Sequence, residues 1–136
     1  MSGAERSQPA GPVARVGFKA GQIVIEYGYD DDVDEQFREQ IEELTGSPLE
    51  DEDYDGVVDA VLLWWRDGEG DLTDELVDAL TTVEEGGFIA LASPGKGRPD
   101  RVQAHDVQES CTTSGLTASG ALPVGEWIVQ RLVGRK

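Results

Sequence analysis

The sequence predicts an α/β fold: a single three-layer domain built on a five-stranded, mostly parallel sheet that closes with a C-terminal antiparallel strand pair. Three observations carry this reading. Short β-branched runs alternate with amphipathic stretches of helical period, which is the signature of strands joined by helical crossovers. One run, Val57 to Trp65 (VVDAVLLWW), is apolar almost throughout, as a strand covered on both faces must be. The last two strand-like runs are joined only around Pro123 and Gly125, too short a link for a crossover, so they must be antiparallel.

Taken in order, Met1 to Pro12 is polar and carries Pro9, Gly11 and Pro12. It is read as part of a loose tail over residues 1–14, with the folded domain spanning residues 15–136. Gln22 to Tyr29 (QIVIEYGY) alternates and is β-branched, so it is a strand. Val33, Phe37, Ile41 and Leu44 then recur on one helical face, with Asp30, Asp31 and Asp32 ahead of it at the positive end of the helix dipole and Gly46 and Pro48 behind it. Leu49 to Asp55 is an acidic loop leading to the apolar strand. Asp71 or Thr73 can cap the next helix, whose inner face is Leu72, Leu76, Leu80 and Val83; Gly86 and Gly87 are read as its stop. Phe88 to Ala92 is a third strand, Ser93 to Gln103 a loop, Ala104 to Ser114 a weak helix, and Leu116 to Val124 and Trp127 to Val133 the final strands. The apolar strand is expected between the first and third, with Trp127–Val133 beside the third and the Leu116–Val124 run at the edge.

With 136 residues the chain is long enough for one ordinary core. It has no apolar run of membrane-spanning length and no secretory pattern at its start, so the cytoplasm is the expected compartment. Its one cysteine, Cys111, excludes a disulfide framework and a thiolate metal cluster within the chain. The net charge is −17, and between Asp30 and Glu85 there are 22 acidic residues against Arg38 and Arg66. A surface of that sign repels nucleic acid and anionic membrane. Another protein is the expected partner.

Several constellations invite a chemical reading. Asp51 to Asp59 places carboxylates at positions 1, 3, 5 and 9 and Gly56 at position 6 of a calcium loop, but Leu62 stands where a bidentate glutamate is needed. Asp51, Asp53 and Asp55, with Asp30, Asp31 and Asp32, are therefore the candidate cation ligands, set against a simple acidic loop and a helix start. Gly68-Glu69-Gly70 sits where a phosphate loop would lie, yet Thr73 replaces the third glycine and Glu69 and Asp71 oppose phosphate. His105 has no nucleophile elbow to serve, and Cys111 falls on a different helical face from it. No catalytic residue and no cofactor is assigned. Trp64 and Trp65 should pack one under each helical layer. The carboxyl ends of the strands form the usual binding rim of such sheets. There Trp65 and Arg66 join Lys96, Arg98 and Arg101 of the following loop as the candidate partner or ligand rim.

The segments VGFKAG (Val16 to Gly21), EDYDGVVDAVLLWWRDGEGDL (Glu52 to Leu72), VDALTTVEEGG (Val77 to Gly87) and the ending with Trp127, Arg131, Leu132 and Val133 resemble an uncharacterised bacterial family, domain of unknown function 3052, in its actinobacterial branch. The resemblance covers roughly residues 15 to 136 and implies a cytoplasmic protein with no established activity. More loosely, IVIEYGY and ALTTVEEGGFIALASPG look like the first strand and a late helix-turn-strand of class I methyltransferases. That implies a reduced Rossmann-like sheet about two βα units short. The glycine-rich turn those enzymes place after the first strand is replaced here by Tyr29-Asp30-Asp31-Asp32. The expected function is a non-enzymatic, acidic binding or regulatory protein. Two alternatives stand beside it: a minimal methyltransferase-like enzyme with a small-molecule pocket, and an acidic mimic of nucleic acid directed at a basic protein.

Overall fold

The computed structural model describes residues 11–66, 70–95 and 104–134. Along these the chain forms α1 (Gly11–Val16), β1 (Val24–Tyr27), α2 (Glu35–Thr45), β2 (Val58–Trp64), α3 (Leu72–Leu80), β3 (Val83–Pro94), α4 (Ala104–Ser114), β4 (Leu116–Val124) and β5 (Trp127–Gly134). The strands make one five-stranded sheet in the order β1-β2-β3-β5-β4, which is the arrangement expected from the sequence. "Mostly parallel" needs correction, however. The β1–β2 and β2–β3 ladders are parallel, while β3–β5 and β4–β5 are antiparallel.

Alternation along β2 divides the core into two layers. Ala60, Leu62 and Trp64 face α1 and α2, joining Val13, Val16, Phe18, Phe37, Ile41 and Trp127. Val61, Leu63 and Trp65 face the other way, onto Leu72, Leu76 and Ala79 of α3 and Val107 and Cys111 of α4. Trp64 and Trp65 thus lie under different helical layers. Burial raises the Cys111 thiol above its ordinary pKa, so it serves as a small apolar core residue.

Three local expectations are revised. Val13 is fully buried and lies in α1, so the packed chain takes in a residue assigned to the tail; two valines three residues apart were too weak a pattern to read as a helix. The helix after β1 begins at Glu35 with Asp34 as its N-cap, the Asp34 carboxylate accepting from the Phe37 amide at 2.9 Å. Val33, read as the first residue of the helical face, therefore precedes the helix together with Asp30, Asp31 and Asp32. Finally, α3 ends before Gly86 and Gly87 are reached. The hydroxyls of Thr81 and Thr82 donate back to the Asp78 and Ala79 carbonyls at 2.7 and 2.9 Å, satisfying end carbonyls without a glycine cap. The glycine pair lies inside β3, where the register with β2 shifts between Val58 and Ala60.

Candidate functional site

From β1 the chain first crosses to one side, where Glu50 pairs in parallel with Ile25. The Glu26 amide donates to the Glu50 carbonyl and the Glu50 amide to the Val24 carbonyl, both at 2.8 Å. It then returns to the other side of β1 as β2. The direction of winding reverses at β1, and in open α/β sheets ligands bind beyond the carboxyl ends of the strands at such a reversal.

That end of the sheet is knitted together by the chain's own residues. Gly28 (φ +80°) leaves β1 so close to β2 that a Cβ there would overlap the Trp64 carbonyl oxygen. Arg66 follows β2 and turns back across the gap. Its Nε and Nη2 donate to the two Asp32 carboxylate oxygens at 3.0 and 2.6 Å, and Nη1 donates to the Gly28 carbonyl at 3.1 Å. The guanidinium also lies 5.2 Å from the Trp127 ring centroid, and the Trp127 indole donates to the Asp32 carbonyl at 3.1 Å. A planar fork matched to a carboxylate and stacked on an aromatic face is a strong, directional anchor. The Tyr29–Asp32 segment that follows β1 is thus tied down by Asp32.

A second cluster lies deeper. Glu26 is buried in β1, and its carboxylate accepts from Arg38 Nε at 2.7 Å, Arg38 Nη2 at 2.8 Å and the Trp64 indole at 2.8 Å. Hydrogen bonding to Glu26, with a smaller contribution from Glu35, raises Arg38 above its already high pKa. Arg38 in turn lowers Glu35, while Glu35 raises the Tyr29 phenol that donates to it at 2.9 Å. Beside this cluster is an open depression of about 440 Å³ between Glu26, Tyr29, Arg38 and the Leu49–Asp53 segment. Its rim carries Glu50, Asp51, Glu52 and Asp53, while Arg38 is already committed to carboxylates.

The structure separates the residues singled out from sequence. Trp65 and Arg66 are 6% and 8% exposed, so neither offers a rim to a partner: Trp65 packs under α3 and Arg66 is turned onto Asp32 and Gly28. Lys96, Arg98 and Arg101 lie outside the described residues, as do Gly68, Glu69 and the His105 side chain. The six candidate cation ligands are not brought together. Asp30 accepts from the Asp31 amide at 2.8 Å, Asp32 holds Arg66, and Asp51 accepts from the Asp53 amide at 3.0 Å. Asp59, ninth in the incomplete calcium loop, accepts from the Ile23 amide at 2.8 Å. Among the described residues no three histidine, cysteine or acidic side chains converge on a metal position. Calcium should leave the melting temperature unchanged, and Asp51→Ala should cost less than about 0.5 kcal/mol; a calcium-induced rise that Asp51→Ala abolishes would restore the loop as a site.

Glu26, Asp32 and Trp127 were not identified as partners from sequence. One signal was present for Glu26: it alternates in phase with Val24, which puts a carboxylate on a core-facing position, and a buried carboxylate needs a partner.

The comparisons with known proteins agree with this picture of the fold. A ribosomal protein L11 methylase from Lactobacillus delbrueckii subsp. bulgaricus superposes with a TM-score of 0.60 at 14% identity, covering 100% of this chain and 81% of that one. A putative RNA methyltransferase from Pyrococcus horikoshii superposes with a TM-score of 0.58 at 12% identity, covering 98% and 86%. At such identities the likeness establishes a methyltransferase-like fold alone. An uncharacterized protein of Mycobacterium tuberculosis (strain ATCC 25618 / H37Rv) is 42% identical over 122 residues, covering 90% of this chain and 77% of that protein. One of Mycobacterium bovis (strain ATCC BAA-935 / AF2122/97) matches to the same extent. The model of the family described as "Protein of unknown function (DUF3052)" matches residues 13–136; the chain belongs to that family.

Proposed function

We propose that this chain is a non-enzymatic binding or regulatory protein on a methyltransferase-like fold, meeting a basic protein partner through its acidic face. The single observation that carries the reading is the Arg66–Asp32 fork, which closes the switch end of the sheet with the protein's own side chains. A cofactor placed there would have to displace a bidentate charge pair and approach a backbone lacking the glycine-rich turn. The surface left for interaction is strongly acidic. Glu39 and Glu43 are exposed on α2, and Asp51, Glu52, Asp53 and Asp55 on the neighbouring loop. The two segments adjoin, since Glu42 accepts from the Leu49 amide at 2.8 Å. Such a surface steers cationic groups toward it and repels nucleic acid and anionic lipid. Among the described residues no helix is long and apolar enough to cross a membrane.

Capture from the native cytoplasm over a salt series tests this reading. The wild type should retain a basic protein less well as ionic strength rises. The triple variant Glu39→Gln, Glu43→Gln, Asp53→Asn should lose it while keeping its melting temperature. Equal retention by the triple variant would place the contact elsewhere. The second reading, a minimal methyltransferase-like enzyme, is favoured by the extent of the structural likeness, and S-adenosylmethionine binding decides between the two.

A further inference from the structure

The other edge of the sheet carries a feature of opposite sign. Among the described residues the cations are Arg15, Lys19, Arg38, Arg66 and Arg131. Arg38 and Arg66 meet carboxylates. Among the described residues Arg15 and Arg131 make no ion pair. Both line one cavity of about 230 Å³, between the end of α1 and the β4–β5 hairpin, together with Ser119 and the apolar side chains of Val16, Leu122 and Val129.

Arg131 is held in place there. Its guanidinium lies 5.1 Å from the Phe88 ring centroid. It also lies against Gly17 (φ +123°), where a Cβ would come within 2.8 Å of Arg131 Nε; any larger residue would push it aside. Ser119 faces Arg131 across the β4–β5 ladder, and the register shifts between Ser119 and Leu122. That bulge departs from the regular ladder at the cavity wall. Two guanidinium groups lining one small hollow repel each other, and an anion between them removes that cost. The volume falls below the roughly 300–1,000 Å³ of sites for drug-sized ligands, so the occupant is small.

We propose that this cavity binds a small organic anion, a carboxylate or phosphate monoester bearing a short apolar group. The anionic head sits between Arg15 and Arg131, and the apolar group rests on Val16, Leu122 and Val129. Charge-assisted hydrogen bonds from a guanidinium fork suit either head. The site is independent of the acidic face and of the closed switch crevice.

The test is an amide chemical-shift titration of the full chain with phenyl phosphate, benzoate and inorganic phosphate in turn. At least one organic probe should produce saturable shifts at the Ser119, Gly120 and Leu122 amides, with a dissociation constant of about 1 mM or tighter. It should bind several-fold tighter than inorganic phosphate. The phosphate and carboxylate arms decide which head the site prefers. Arg131→Gln and Arg15→Gln should each weaken binding about tenfold or more. Arg131 also packs on Phe88, so the exposed Arg15 provides the variant that leaves the core untouched. Absence of saturable shifts with both organic probes would overturn the proposal. So would equal affinity for inorganic phosphate, or unchanged affinity in a folded Arg15→Gln variant.

Discussion

Trp64→Ala should destabilise the protein by about 3–5 kcal/mol, the usual cost of removing a buried aromatic from a core that cannot collapse around the gap. Trp64 is fully buried. Its ring meets Phe37 edge-on at 6.4 Å between centroids and Trp127 at 4.8 Å. The indole also supplies one of the three donors that satisfy buried Glu26. Alanine therefore opens a cavity and leaves a carboxylate short of a partner. Domains of this kind have a total stability of about 5–15 kcal/mol, so the variant should lie close to unfolding. Trp64→Phe keeps most of the ring but not the donor, and should cost about 1–3 kcal/mol. Leu62→Ala, on the same face, should cost about 2–5 kcal/mol without the polar penalty. Urea denaturation reads all three; a loss below about 1 kcal/mol for Trp64→Ala would contradict the packing described.

Arg66→Ala should cost about 3 kcal/mol, the lower end of the range for breaking a buried ion pair. The discount reflects the Asp32 side chain, which remains 32% exposed and regains some hydration. The alanine also strips a donor from the Gly28 carbonyl and the cation from the Trp127 face. Asp32→Asn keeps the shape and loses the charge. A double-mutant cycle between the two positions should give a coupling of about 1–3 kcal/mol. The Arg66 side chain is only 10% exposed, so that coupling should change little with added salt. A coupling under about 0.5 kcal/mol would mean that the fork does not hold the end of the sheet.

Much of the fold was legible because the patterns were long and strong. The period-2 run of QIVIEYGY, the apolar VVDAVLLWW and the i, i+4 spacing of Val33, Phe37 and Ile41 each admit one reading, and the short link between the last strands fixes their antiparallel pairing. Short or ambiguous signals were misread. Val13 and Val16 gave too little periodicity to reveal α1, and Gly86-Gly87 has the composition of a helix stop although Thr81 and Thr82 had already closed α3. The parallel bridge at Glu50 was hidden in a run of acids whose side chains carry no strand pattern.

The site was less legible than the fold, for a physical reason. Arg66 at the end of a strand reads as a rim residue when only its position is known. Its inward turn depends on Asp32, which lies 34 residues earlier, and on Trp127 from the far end of the chain. Periodicity reports which face a residue occupies, and it carries no information on pairings made across loops. The Arg15–Arg131 cavity was invisible for the same reason, since α1 was not recognised and the two arginines lie at opposite ends of the sequence.

The proposed function rests on the switch end of the sheet being closed by the Arg66–Asp32 fork, which leaves no place for a methyltransferase cofactor. Calorimetric titration of the full chain with S-adenosylmethionine tests this most directly. The expected result is no saturable heat at concentrations well above those at which such enzymes bind. A micromolar dissociation constant, about −8 kcal/mol of binding free energy, would contradict it.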